Sequence, residues 1–198
     1  DIKEDRNVFY DEKGHYNLSE LAEKFIAGLL KHIKEISAVL APTVNSYKRL
    51  TPGYEAPVYI CWARQNRSAL IRIPRAFAGK REATRLELRC PDPSANPYLA
   101  FAAMLKAGLA GIKGKYELMP PSEEDVFKLD DIKLSQKHID KLPASLSEAL
   151  AYYCQSSLVK DILGEHIYHE FYKAKLREWD EFRIAVTDWE REKYLGVL

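Results

Sequence analysis

The sequence predicts an α+β fold: an antiparallel sheet with helices packed on one side. Three observations carry that expectation. Apolar residues recur at spacings of three and four between Leu21 and Leu40. Short stretches rich in β-branched and aromatic residues follow Pro57. Helical spacing returns after Asn96 and dominates the remainder.

Residues 1–16 are polar and charged, with Lys13-Gly14 as a turn signal, and predict a loop or short hairpin. A helix follows, with Asn17 as its cap and Glu20 three residues on. Its stripe is Leu21, Phe25, Leu29, Ile33, Ile36 and Leu40. Pro42 ends it, because proline lacks the amide donor and collides with the preceding turn. Strands are expected at 58–63, 69–73 and 85–90. Asn96-Pro97 opens the next helix, with asparagine as cap and proline in the first turn, and it should run to about Ile112. Its small residues suit close packing against the sheet. The Gly108, Gly111, Gly114 spacing has no strand before it and reads as packing and capping, not as a phosphate loop. Residues 114–143 read as a polar loop with short helical turns. Two helices near 145–163 and 165–186 complete the chain. The second carries a stripe of Tyr168, Tyr172, Leu176, Trp179, Phe182 and Val186 suited to burial.

The 198 residues are enough for one sizeable core, and 46% hydrophobic content argues against disorder. No apolar run approaches the roughly 18 residues that span a bilayer. No signal-peptide pattern opens the chain, and a start at Asp1 rather than Met is expected of a fragment. Cys61, Cys90 and Cys154 are odd in number and lack CxxC spacing, which favours reduced, buried thiols in the cytoplasm and argues against a zinc site. His166 and His169 share a helix face, an arrangement common on wet helices.

Charge is unevenly spread. Residues 45–89 hold ten Lys/Arg against three acids, a surplus of seven, while the whole chain carries only +1. A cationic patch in a near-neutral protein points to a site for anions. Strand alternation sends Leu86 and Leu88 to one face and Arg85, Glu87 and Arg89 to the other; Arg72 likewise opposes Ile71 and Ile73. A solvated face of cross-strand ion pairs, worth about 0–1 kcal/mol each, is the alternative. The excess of arginine over acid speaks against it, because arginine's fork suits carboxylates and phosphates. A lone Glu87 among arginines suits Mg²⁺ or Mn²⁺ next to phosphate. Nucleic acid is a poorer fit, because the rest of the chain is acidic and repels a long polyanion. The Pro52–Pro57 loop, with Gly53 inside it, has the make-up of a lid, and Glu55 at its tip suits a general base.

The string Asn45-Ser-Tyr-Lys-Arg-Leu-x-Pro-Gly-Tyr-Glu-Ala-Pro57 is followed in order by Asn66-Arg-Ser-Ala, Ile71-Arg-Ile-Pro74, Arg85-Leu-Glu-Leu-Arg89 and Asp92-Pro-x-Ala-Asn-Pro-Tyr98. Together they resemble the C-terminal catalytic domain of type I glutamine synthetase. The resemblance covers essentially the whole chain: a lead-in loop and helix (1–44), flap and active-site strands (45–90), and a helical region with an assembly tail (91–198). It implies ATP-dependent ligation of ammonia to L-glutamate through γ-glutamyl phosphate, with Mg²⁺ or Mn²⁺. By that resemblance Arg49 and Arg89 hold the glutamate carboxylates. Arg67 touches both nucleotide and glutamyl portions and steadies the transferring phosphoryl group. Arg72, Lys80 and Arg85 lie on the nucleotide side, and Glu87 is a metal ligand. Glu55 closes over the intermediate, on the glutamate side, and helps take a proton from ammonium. Fixed cations aimed at developing phosphoryl charge lower the barrier, and loss of one is expected to cost about 2–4 kcal/mol.

The sequence departs from the family in two places. The loop 79–84 is slightly longer than usual, which bears on Lys80. Phe127 stands where adenylylated subtypes carry a tyrosine, so the resemblance is to the feedback-regulated branch that lacks this modification. The family's other metal carboxylates, its histidines and its small β-grasp domain are expected upstream of Asp1. That domain completes the site across a subunit boundary in a dodecamer of two hexameric rings. This chain alone is therefore expected to be inactive. Two alternatives remain: a γ-glutamyl-polyamine ligase of the same superfamily, or a non-catalytic assembly module whose tail, Tyr194 to Leu198, inserts into a partner.

Overall fold

The computed structural model describes residues 6–54, 56–75 and 81–197, with the Arg81 side chain excepted. Its first long helix, α1 (Glu20–Leu40), is capped by Ser19, whose Oγ accepts from the Ala22 amide at 3.2 Å. Asn17 was the expected cap. It instead takes φ 63° at the end of a 3-10 turn, closing a small hairpin in which Tyr10 bridges Leu18. Ser19 is the extended residue that follows, so its hydroxyl takes the capping role. The α1 amide ladder stops at Ala41, just before Pro42. The buried stripe is Ile26, Leu29, Ile33, Ile36 and Leu40, whereas Leu21 lies at the exposed edge.

Next come a single turn, α2 (Ser46–Arg49), and the strands β1 (Tyr59–Ala63), β2 (Ala69–Arg72) and β3 (Glu87–Leu88). The α+β class is as predicted, but the sheet is mixed. β2 and β3 pair antiparallel, with Ile71 opposite Leu88 and Arg72 opposite Glu87. β1 and β2 pair parallel, with Tyr59 opposite Ala69 and Ala63 opposite Arg72. Such pairs normally need a long crossover. Here β1 is short, about 13 Å, and the six Cα steps from Ala63 to Ala69 can reach about 20 Å, so residues 64–68 can double back along it. The far edge of β1 is covered too: Ile60 N donates to Asp140 O, Leu142 N to Val58 O and Ser122 N to Trp62 O. All five β1 residues are consequently buried.

α3 (Pro97–Gly114) is capped by Asn96 Oδ1, which accepts from the Tyr98 and Leu99 amides, and ends at a left-handed Lys115. Its small residues were expected against the sheet; they pack on α1 instead. A Cβ at Gly28 would lie 2.3 Å from Ala107 O, and one at Gly111 would lie 2.1 Å from Lys24 O. The two helix backbones touch. Residues 115–145 carry a 3-10 turn (Val126–Lys128) and α4 (Asp131–Gln136).

The predicted helix at 145–163 is divided at Ser156 into α5 (Leu146–Gln155) and the start of α6 (Ser157–Ile184). α6 itself bends at Gly164, whose φ of 70° suits glycine. Tyr153 and Tyr168 stack at 4.9 Å across the bend. Tyr153 OH donates to Tyr168 O, and Tyr168 OH to Cys154 O, which locks α5 to α6. Burial fades along the predicted stripe: Tyr168 is buried, Tyr172 and Trp179 are half-buried, and Val186 is exposed. A final helix, α7 (Asp188–Tyr194), opens with a Thr187–Glu190 capping box. No helix among the described residues is long and apolar enough to cross a membrane. Cys61 and Cys90 are buried, but Cys154 is exposed, contrary to the expectation of three buried thiols.

Candidate anion-binding cleft

Alternation along β2 decides what the sheet presents. Ile71 and Ile73 are buried on one face, which turns Arg72 to the opposite face. Arg89, one residue beyond β3, and Arg67, just ahead of β2, end on the same side. Arg67, Arg72 and Arg89 line a cleft of about 720 Å³ together with Gly53, Tyr54 and Phe127. Three guanidiniums from the return loop, β2 and the end of β3 thus share one hollow.

Arg89 is fixed by donation from Nη1 to Ala69 O at 3.1 Å and to the Arg67 carbonyl. Burial, and then the positive charges of Arg72 and Arg67, depress its pKa below the ordinary arginine value, while Glu87 opposes the shift. It stays charged at neutral pH. The smaller part of that depression comes from neighbouring positive charge, which an anion would relieve.

Glu87 sits beside the cleft rather than in its lining. Its Oε2 accepts from Arg72 Nε at 2.9 Å and Nη2 at 2.6 Å, and its Oε1 from Arg85 Nη2 at 3.3 Å. Both carboxylate oxygens are taken by guanidinium. Among the described residues no group of three His, Cys, Asp or Glu side chains could hold a metal ion. The described residues therefore do not fit a divalent ion by themselves, and Glu87 can supply one ligand at most. His169 pairs with Glu165 at 3.1 Å on an exposed helix face.

Arg85 is exposed and reaches the cleft only through Glu87. Arg49 lies apart from the cleft lining. Its Nη2 donates to Cys90 O at 2.5 Å and Pro91 O at 3.1 Å, and its Nε is 3.8 Å from Asp92 Oδ2. It thus grips the chain immediately after Arg89. Glu55 and Lys80 fall outside the described residues. Sequence reading passed over Tyr54 and Phe127 as cleft walls. It placed Tyr54 in a lid and weighed it only as a stacking ring for nucleic acid, and it read Phe127 only for its missing hydroxyl. A second hollow of about 480 Å³ lies between 50–58 and 131–148. On its rim Lys34 pairs with Asp140 at 2.9 Å and Lys141 with Asp131 at 3.0 Å.

Comparison with known proteins places these features in a family. Residues 2–194 match the family model described as glutamine synthetase, catalytic domain. The chain is 52% identical over 197 residues to a glutamine synthetase of Methanosarcina mazei, covering all of this chain and 43% of that protein. It is 50% identical to a glutamine synthetase of Thermotoga maritima, covering 96% of this chain and 43% of that protein. It spans less than half the length of these curated relatives. Among solved structures, one described as a GmaS/ADP complex superposes with a TM-score of 0.82 at 34% identity, over 96% of this chain and 43% of that one.

Proposed function

The chain belongs to the glutamine synthetase catalytic-domain family, and on that premise we propose that it supplies the arginine-lined wall of an ATP-dependent glutamate–ammonia ligase. The observation that carries this is the convergence of Arg67, Arg72 and Arg89 on one cleft. A γ-carboxylate oxygen of glutamate attacks the terminal phosphorus of ATP, and ADP leaves. Ammonia then attacks the acyl carbon of γ-glutamyl phosphate, and inorganic phosphate leaves as glutamine forms. Negative charge spreads over phosphoryl oxygens in the first step, and fixed guanidiniums stabilise it there without reorganising.

In this reading Arg67 spans nucleotide and glutamyl groups, Arg72 and Arg85 stand on the nucleotide side, and Arg89 takes a glutamate carboxylate. Arg49 holds the 90–92 segment and reaches the other carboxylate once substrate enters. Glu55 and Lys80 complete the flap and the nucleotide side. Glu87 gives one carboxylate to a Mg²⁺ or Mn²⁺ site whose other ligands lie outside the described residues. The flap has a chemical task, because an acyl phosphate open to water is hydrolysed.

Assembly into a two-ring dodecamer is supported by the exposed apolar C-terminal end, where Val186 is 74%, Trp189 62% and Val197 83% exposed. The cysteine pattern supports a cytoplasmic setting. The test uses a full-length polypeptide carrying this sequence, given glutamate labelled with ¹⁸O in its γ-carboxylate. Transfer of one ¹⁸O into inorganic phosphate, dependent on ammonium, is expected; release of unlabelled phosphate refutes an acyl phosphate. Running ammonium, methylamine and putrescine in parallel assigns the amine, with ammonium expected to give the highest kcat/KM.

A further inference from the structure

Arg67 is exposed and carries its guanidinium into the cleft, yet both its neighbours are turned the other way and buried: Asn66 is 8% and Ser68 1% exposed. We propose that Asn66 and Ser68 are positioning residues that strap the Arg67 backbone to the 122–127 segment, so that Arg67 and Phe127 face the cleft as one rigid unit. The proposal rests on the role given to Arg67 above.

The strap is a closed set of hydrogen bonds. Asn66 Nδ2 donates to Ser122 O at 2.7 Å and to the Glu124 carbonyl. Asn66 Oδ1 accepts from Ser68 N at 2.8 Å and Ser68 Oγ at 2.6 Å. Ser68 Oγ in turn accepts from Val126 N at 2.9 Å. Outside this buried set, Glu123 accepts from Arg64 N at 2.7 Å and Gln65 N at 3.2 Å. Arg89 grips the Arg67 carbonyl from the cleft side.

Residues 64–68 form the return between two parallel strands, bending at Arg64 and Gln65 and turning at Arg67 and Ser68. The side-chain bonds to 122–126 anchor that turn. Strap and cleft wall are continuous, because Val126, held by Ser68, precedes Phe127. Burial matters here: the Val126 amide and the Asn66 amide group have few other partners to turn to, so the geometry is held tightly. A displacement of about 1 Å in a group that must meet a transferring phosphoryl can cost on the order of 100-fold in rate.

The experiment is a double-mutant cycle in the full-length enzyme, with phosphate release measured in the presence of glutamate, ATP and ammonium. Ser68→Ala is expected to lower kcat about 10–100-fold, with KM for ATP within about threefold, and Ser68→Thr to restore part of the loss by keeping the hydroxyl. In an Arg67→Ala background the same Ser68→Ala change is expected to cost less than about threefold, because its partner in action is already gone. Equal losses in both backgrounds would overturn the proposal, as would full kcat in Ser68→Ala. If Ser68→Ala does not fold, Glu123→Ala carries the test, since water can solvate the amides it leaves. A several-fold loss that vanishes without Arg67 supports the strap, and an additive or absent loss refutes it. Wild-type activity in Arg67→Ala alone would instead refute the functional reading.

Discussion

Gly111→Ala is the perturbation whose cost is set most plainly by geometry. The new Cβ would sit 2.1 Å from Lys24 O, 2.6 Å from Gly28 N and 2.7 Å from Gly28 Cα, where ordinary contact begins at 3.4 Å. All three obstructing atoms are backbone of α1, so no side chain can swing away. The helices must separate by about 1 Å, a gap that forfeits up to half the dispersion attraction of the atoms lining it. Overpacking of this kind costs about 1–3 kcal/mol, and backbone obstruction puts it at the upper end. Alanine's better helical propensity returns about 1 kcal/mol. The net loss is about 2 kcal/mol, or a fall in Tm of about 4–8 °C for a protein of this size. Urea unfolding followed by tryptophan fluorescence reads this as a lower midpoint at unchanged slope. Gly196→Ala, where nothing lies within 4 Å, is the control and should leave the midpoint in place. A Gly111→Ala midpoint equal to or above wild type would refute the close α1–α3 contact.

Two further outcomes are expected. Burial pushes the Cys90 thiol up to about 12 and the Cys61 thiol to about 11, while Cys154 is exposed. A disulfide-exchange reagent at pH 8 should therefore modify one thiol rapidly and the other two only on unfolding; three fast thiols would contradict the burial. Burial raises the Asp92 carboxyl pKa, but hydrogen bonds from Ser94 and Ser46 and the nearby Arg49 outweigh it, so the net shift is downward. A depressed folded pKa stabilises above the unfolded value of about 4 and is lost as pH falls through the folded value. Asp92→Asn should thus lower Tm at pH 7 and lower it less near pH 3; a penalty constant with pH would rule this out.

The sequence was most legible where a local rule coincides with the fold. Asn96-Pro97 begins a helix because cap and first turn are both local properties, and alternation around Ile71 and Ile73 placed Arg72 correctly. It was least legible where partners are distant. Nothing local distinguishes Ser19 from Asn17 as a cap until the hairpin before it has consumed Asn17 in a left-handed turn. The parallel pairing of β1 and β2 depends on Asn66 and Ser68 finding residues 122–126, more than fifty positions away. The small residues of α3 announce close packing but not its partner, which is α1. For the candidate site, the basic surplus identified the stretch, yet only folding separates Arg67, Arg72 and Arg89, which meet, from Arg49 and Arg85, which stand beside them. Phe127 entered the cleft wall through the same distant strap, so no pattern near it could have revealed it.

A structure of the full-length protein with magnesium, ADP and glutamate tests the arginine cleft most directly. The predicted result has phosphate oxygens about 2.7–3.2 Å from nitrogens of Arg67 or Arg72, with a glutamate carboxylate on Arg89. Nucleotide seated in the hollow between 50–58 and 131–148, with the three guanidiniums left facing solvent, would contradict it.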